Sequence, residues 1–232
     1  MFKVFTLFLL ILLASSVIFA DELEDRKSIK NNVSHMFLSG QYQALSDLSK
    51  KYLETEDRTS SGLWKLTLFY SGIERAVDKK NRDEKYWLNI EENALGWVKN
   101  QPNSPSGYVA YAVILIQHAY MYRGEGWADE VREEDWKPFY AYVNKAYKYL
   151  NENKAIASKD PRWYETMLII AKLKSFDKAD FESLFNEIYF IFWRFYASFR
   201  FLLKTMQNIH SFCKFHGINR SICIPKIIFN NF

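Results

Sequence analysis

The chain of 232 residues predicts an all-α protein, laid out as an irregular array of antiparallel helical hairpins. Two observations carry that reading. Apolar side chains recur at three- and four-residue spacing through most of the chain, and no stretch alternates with period two for long enough to demand a strand. Only eight Gly and five Pro occur, too few for a turn-rich all-β fold. Hydrophobic residues at 49% and aromatic residues at 18% exclude a disordered chain.

The elements follow in order. Met1-Phe2-Lys3 is a short start with one positive charge, and the apolar run Val4 to Ala14 carries none. Small and apolar residues lead from there to Ala20, and the acidic cluster Asp21-Glu22-Leu23-Glu24-Asp25 follows. A charged start, a short apolar core and a small-residue exit make residues 1–20 a secretory signal, cut after Ala20. The alternative is a retained anchor, but the apolar stretch is at the lower limit for a bilayer core of roughly 30 Å.

Residues 23–39 then read as a helix, with Leu23, Ile29, Val33, Met36 and Phe37 on one side. Gly40 breaks it, and Tyr42, Leu45, Leu48 and Tyr52 form the stripe of a second helix, so the short link makes a hairpin. Thr59-Ser60-Ser61-Gly62 reads as the start of a third helix, carrying Leu63, Trp64, Leu66, Phe69, Tyr70 and Ile73. A polar link at 79–83 leads to Tyr86, Trp87, Ile90, Ala94, Trp97 and Val98, and Pro102 closes that run. Ser104-Pro105 combines an N-cap residue with Pro at the first helical position. The helix it opens is apolar on most sides to Tyr122, which predicts a central place in the fold, and Gly124 is expected to end it as a left-handed cap. Residues 133–152 are helical by spacing, Asp160-Pro161 repeats the cap device, and Asp177 opens a last helix with Phe181, Leu184 and Phe185.

Charge divides unevenly along the chain. Residues 21–180 carry 24 Lys+Arg against 25 Asp+Glu, whereas residues 181–232 carry six against two. The body therefore has no basic field to attract nucleic acid, and none is expected as a partner. It also contains no Cys before residue 213, so the fold it predicts needs no disulfide.

Two stretches of the body match each other. Ala94-x-x-Trp97 followed by Pro105-x-x-Tyr108 is echoed by Ala146-x-x-Tyr149 and Pro161-x-x-Tyr164, an offset of 52–56 residues. Gly40-Gln41-Tyr42-Gln43-Ala44-Leu45 also resembles the start of a second helix in a tetratricopeptide repeat, whose period is roughly 34 residues. Ala94-Leu95-Gly96-Trp97, Pro102-Asn103-Ser104-Pro105, Tyr108-Val109-Ala110-Tyr111-Ala112 and Arg123-Gly124-Glu125-Gly126-Trp127-Ala128 resemble an uncharacterised family of bacterial exported proteins. That likeness covers roughly residues 35–187. It implies a tetratricopeptide-like α-solenoid and a periplasmic or secreted address, and it implies no reaction.

Candidate chemistry is sparse. Arg123-Gly124-Glu125-Gly126-Trp127 is the most unusual body segment: two glycines permit a tight turn, and Arg123, Glu125 and Trp127 together could form a contact rim. A helix cap with the Trp docked back on the core is the plainer explanation. The acidic run Asp129, Glu130, Glu133, Glu134, Asp135 suits a solvated helix N-terminus and offers no alternating calcium loop. His118 lies in the most apolar helix, where a hydrogen-bonded core histidine is expected. No nucleophile elbow, phosphate loop or zinc-protease helix is present, so neither catalysis nor a cofactor or metal is expected.

From Ile188 the composition changes. Residues 181–232 hold eleven of the nineteen Phe and both Cys. His210, Cys213, His216 and Cys223 are suitable zinc donors at a spacing that matches no standard finger. The tail reads either as a membrane-surface or partner-binding segment, or as sequence out of its native frame. The organisation expected is thus signal 1–20, helical body 21–187 and atypical tail 188–232. The function expected is an interaction scaffold in the bacterial envelope that takes a protein or peptide partner. An enzyme or small-ligand binder using the concave face is the alternative.

Overall fold

The computed structural model describes residues 22–124 and 126–195, with side chains as far as Glu187. The signal expected at 1–20, Glu125 and the expected tail from residue 196 onward lie outside the described residues. Among those described, the protein is all-helical and has no strand. The helices are α1 (22–38), α2 (Tyr42–Thr55), α3 (Lys65–Arg75), α4 (Glu84–Asn100), α5 (Pro105–Arg123), α6 (Glu133–Glu152), α7 (Lys154–Ala157), α8 (Arg162–Leu173) and α9 (Lys178–Phe195). A single 3₁₀ turn, Ala128–Glu130, interrupts the α5–α6 connection.

Contacts divide the chain into two compact units, Met1–Asp160 and Pro161–Phe232. In the first, α5 is central, as its composition predicts. Fourteen of its nineteen residues are buried, and it packs against α2, α3, α4, α6 and α7. Each large aliphatic side chain buried this way is worth about 1.5–3 kcal/mol relative to exposure. Around α5 the other helices bury one stripe each, with Leu45 and Tyr52 on α2, Phe69 and Ile73 on α3, Trp87, Ala94 and Trp97 on α4, and Phe139, Val143 and Ala146 on α6.

Small residues let the backbones approach. A Cβ on Gly72 of α3 would lie 2.7 Å from Val33 Cβ and 2.8 Å from the Lys30 carbonyl oxygen, so α1 crosses α3 with no room for a side chain there. Specific polar contacts set the orientation of α2 against α4: Tyr42 donates to Asn93 Oδ1 at 2.6 Å, and Trp97 Nε1 donates to Ser46 Oγ at 2.8 Å. At the end of the unit, Asp160 is fully buried and accepts from the Tyr70 and Ser106 hydroxyls at 2.5 and 2.6 Å.

Several local expectations shift. The third helix starts at Lys65 rather than in the Thr-Ser-Ser segment, because Gly62 has φ +85° and the segment closes on itself, Thr59 N–H donating to Leu63 O. Ser104 has extended backbone at the start of α5, but its hydroxyl makes no cap hydrogen bond; Pro105 still occupies the first turn. Gly124 has φ +69° but ψ −176°, an extended mirror-image region open in practice only to Gly, so it ends α5 without the left-handed cap conformation. Asp177 does cap, accepting from Asp180 N–H at 2.9 Å, and the helix it opens continues to Phe195, across the composition change at 188. In the second unit α8 packs with α9, and Trp163, Met167 and Ile170 are buried.

Candidate functional site

The richest chemistry in the first unit sits where α4, α5 and α6 face one another. Helical spacing brings it together: Glu84 and Glu91 lie two turns apart on α4, His118 and Tyr122 one turn apart on α5, and Tyr142 and Lys145 nearly one turn apart on α6. The α4 start is fixed by Asp83, whose side chain accepts from Lys85 N–H at 3.0 Å.

His118 has no exposed surface. Its Nδ1 lies 2.6 Å from Glu91 Oε1 and its Nε2 lies 3.1 Å from Glu84 Oε2, so the imidazole bridges the two carboxyl groups. Glu84 also accepts from Tyr122 OH and Tyr142 OH, each at 2.5 Å, and Lys145 Nζ donates to Glu91 Oε2 at 2.6 Å. The histidine ring stacks on Trp87 at 5.2 Å and 16° and lies 3.8 Å from the Tyr142 ring. Lys145 also approaches the Tyr142 ring at 5.5 Å. A continuous polar chain therefore runs from Glu84, 45% exposed, through His118 and Glu91, 5% exposed, to the half-exposed Lys145.

The hydrogen bonds around Glu84 favour its charged form. Burial works against an ionised Glu84, but the hydrogen bonds from Tyr122, Tyr142 and His118 outweigh it and hold that carboxyl below its ordinary value. Burial first, and then the Glu84 carboxylate, push the Tyr122 and Tyr142 phenols well above theirs. For Lys145, burial opposes the charge and Glu91 more than restores it, so its ammonium is held above the ordinary range.

Glu84 is also where the cluster reaches solvent. A cleft of about 520 Å³ is lined by Arg82, Glu84, Met121, Tyr122, Arg132 and Asp135. Arg82 donates to the carbonyl oxygens of Met121 and Tyr122, closing the last turn of α5. Arg132 grips Asp135 through two bonds, at 2.9 and 3.0 Å. Asp135 is consequently buried, unlike its neighbours in the acidic run, which stay exposed as expected. Two guanidinium groups and two carboxylates leave the cleft formally balanced.

No family model matches the chain, and no curated protein or solved structure matches it either.

The residues singled out from the sequence fall close by. Trp127 is 78% exposed and is not docked on the core. Its backbone is nonetheless fixed, Trp127 N–H donating to Glu130 Oε2 at 3.0 Å. Arg123 donates to the carbonyls of Gly124 and Gly126 and lies over the rings of Tyr120 and Trp136 at 5.8 and 5.9 Å. Glu125 lies outside the described residues. Arg123 and Trp127 thus share the α5–α6 connection, and neither lines the cleft or touches the His118 cluster. Among the described residues no group of His, Cys, Asp or Glu is arranged to hold a metal ion.

Sequence reasoning places His118 in the core and misses its partners. A signal for Glu91 exists: it falls within the apolar stripe of Trp87, Ile90, Ala94 and Trp97, where an acid needs a donor. Tyr142 and Lys145 give no such signal, because tyrosine and lysine on a surface helix need no explanation.

Proposed function

We propose that the protein is exported and acts as an interaction protein, with the α5–α6 connection as its contact surface and a protein or peptide as its partner. The observation that carries this reading is Trp127, 78% exposed on a turn whose backbone is held by hydrogen bonds. A large aromatic side chain presented on a fixed turn loses little freedom on binding, and Trp and Arg dominate the energetics of protein interfaces. The cleft takes walls from both ends of the same connection, Tyr122 and Arg132, and its mixed charges suit a polar peptide segment. The address rests on the pattern of residues 1–20, which supports a periplasmic or secreted protein. The architecture we propose is the irregular, tetratricopeptide-like array. It is supported by consecutive packing of α4 with α5, α5 with α6 and α8 with α9 across short links.

The test is capture of cross-linked partners from an envelope extract by the wild-type chain and by Trp127→Ala. The partner so identified is then titrated against both purified proteins. A hot-spot residue is worth about 2 kcal/mol or more, so Trp127→Ala is expected to weaken the Kd by roughly 30-fold. Equal affinity for both proteins removes the loop from the interface.

A second reading, a small-ligand site in the cleft, is favoured by one observation. Glu84 belongs both to the cleft lining and to the chain that leads to His118. Chemical-shift changes at Tyr122 and Arg132, rather than at Trp127, on addition of a small polar ligand would select it.

A further inference from the structure

Two opposite charges share the cleft at the end of α5 without pairing. Arg82 is pinned through Nη1, which donates to the Met121 and Tyr122 carbonyl oxygens, and among the described residues no carboxylate pairs with it. Its Nε and Nη2 make no hydrogen bond to those residues, so the guanidinium fork stays open on that side. Gly124 puts no side chain over the opening: a Cβ there would meet only Arg82 Nη2, at 4.0 Å. Glu84 is pinned from behind, by Tyr122 and His118 on Oε2 and by Tyr142 on Oε1. A carboxylate has about four acceptor positions, so Oε1 keeps one to spare. Burial opposes the charge on Glu84, but Tyr122, Tyr142 and His118 outweigh it and hold the carboxyl below its ordinary value. The other two charges of the cleft are spent. Arg132 gives Nε and Nη2 to Asp135 at 2.9 and 3.0 Å, and its Nη1 faces Glu134 at 3.3 Å.

A cation and an anion on neighbouring residues would ordinarily close on each other. Here each is held by other bonds, Arg82 by the end of α5 and Glu84 by α5 and α6, so the gap between them persists and both keep capacity toward the cleft. A ligand with a single charge satisfies one of them and takes water from the other without replacing it, which costs free energy. A phosphate or other multiply charged anion would also face Glu84, and a polyamine would face Arg82. A molecule that carries both charges meets both groups with the right sign. Met121 and the Tyr122 ring supply apolar wall, and about 520 Å³ is within the usual range for a small-molecule site. We propose that this cleft binds a small zwitterion of the amino-acid type, its carboxylate on the open side of the Arg82 guanidinium and its ammonium on Glu84 Oε1. The proposal rests on the second reading above, the cleft as a small-ligand site, and names the class of ligand. It also gives the buried chain behind Glu84 a purpose at the surface: His118 and the two tyrosines keep that carboxylate facing the cleft and away from Arg82.

The test is an NMR titration of the purified full-length chain that follows the Arg82 Nε–Hε resonance and the Tyr122 amide. The probes are leucine and γ-aminobutyrate, which differ in the separation of their charges. Each is set beside two relatives with one charge removed: N-acetylleucine and leucinamide for the first, butyrate and butylamine for the second. The tighter zwitterion is expected to bind about 10-fold more tightly than either of its one-charge relatives, the worth of one charge-assisted contact. Arg82→Gln is expected to bring that zwitterion down to the level of its amine relative, and Glu84→Gln down to the level of its carboxylate relative. A cleft that merely collapses in a variant would lose all three probes alike, and the wild-type series decides without the variants. One-charge relatives that bind as tightly as the zwitterions overturn the inference and leave the cleft a small-ligand site of another class. Zwitterion binding that moves Trp127 and not Arg82 overturns it as well. No shift with any probe overturns the inference and removes the support for the small-ligand reading with it.

Discussion

Replacing His118 by leucine tests whether the α4–α5–α6 cluster is a structural ion network. Leucine fills much of the ring's volume, so the perturbation is chiefly the loss of the contacts to Glu84 and Glu91. Glu84 is 45% exposed and keeps both tyrosine hydroxyls, so water can take the place of the lost bond at little cost. Glu91 is 5% exposed and keeps Lys145 at 2.6 Å, but its Oε1 loses the imidazole. Leaving a buried polar group without its partner costs about 1–3 kcal/mol, and more for a charged one. With Lys145 still in place, about 2 kcal/mol is expected, and the lost stacking on Trp87 adds about 1 kcal/mol. The total of about 3 kcal/mol corresponds to a fall of roughly 1.5 M in the urea midpoint at an m-value near 2 kcal/mol/M. The decisive arm is the double variant His118→Leu/Glu91→Leu. Removing the stranded carboxylate should recover about 1–2 kcal/mol relative to His118→Leu alone, a coupling within the usual range for contacting residues. Urea unfolding followed by far-UV circular dichroism and tryptophan fluorescence reads all four corners of the cycle. A His118→Leu protein within about 0.5 kcal/mol of the wild type refutes the reasoning. So does a double variant whose cost is the sum of the singles.

Two further outcomes follow from other contacts. Gly72→Ala gains about 1 kcal/mol of helix propensity in α3, but its Cβ would meet Val33 Cβ and the Lys30 carbonyl under 3 Å. Because one of those atoms is backbone and the other persists even in alanine, the overlap, about 1–3 kcal/mol, wins. A net loss of stability is expected in urea, and adding Val33→Ala is expected to restore little of it; a stabilised Gly72→Ala would show that α1 does not seat as described. Glu22 titrates lower in the folded protein, at about 2, than its ordinary 4.5, so its contribution is present above pH 4.5 and is lost as pH falls toward 2. The wild type should therefore lose stability over that interval more steeply than Glu22→Gln. Urea midpoints that fall equally between pH 5 and pH 3 in the two proteins would show that Arg26, Thr59, Ser60 and Ser61 do not hold the Glu22 carboxylate.

How much of this was legible in the sequence depends on the range of the interactions. The helices and the burial of α5 follow from apolar spacing, which is local, and the cap at Asp177 needs only the next three residues. The misses share one cause. Thr59, Ser60 and Ser61 look like a helix start because hydroxyls commonly cap nearby amides, yet here they serve Glu22, 37 to 39 residues away. Asp135 looks solvated among four acidic neighbours, and only the turn that brings Arg132 onto it explains its burial. Trp127 illustrates the reverse case. Its exposure follows from a cap in which Glu130 claims the backbone amide and leaves the ring outside, and no local pattern distinguishes that from a tryptophan folded back onto the core.

The chain of polar contacts through His118 also bears on which packing the helices adopt. An apolar stripe constrains which face a helix buries more than where along its length it sits, and the next register is one turn away, about 5.4 Å. The ionic contacts have no such tolerance. Were α4 displaced by a turn against α5, both glutamates would leave His118 at once, and Glu91 would be stranded in the interior. Were α6 displaced, Tyr142 would abandon Glu84 and Lys145 would abandon Glu91 in the same step. Either error costs several kcal/mol in addition to the packing that the apolar faces lose. Six polar side chains thus act as a register key for three helices: the hydrophobic stripes hold them together, and the charges decide where along their length.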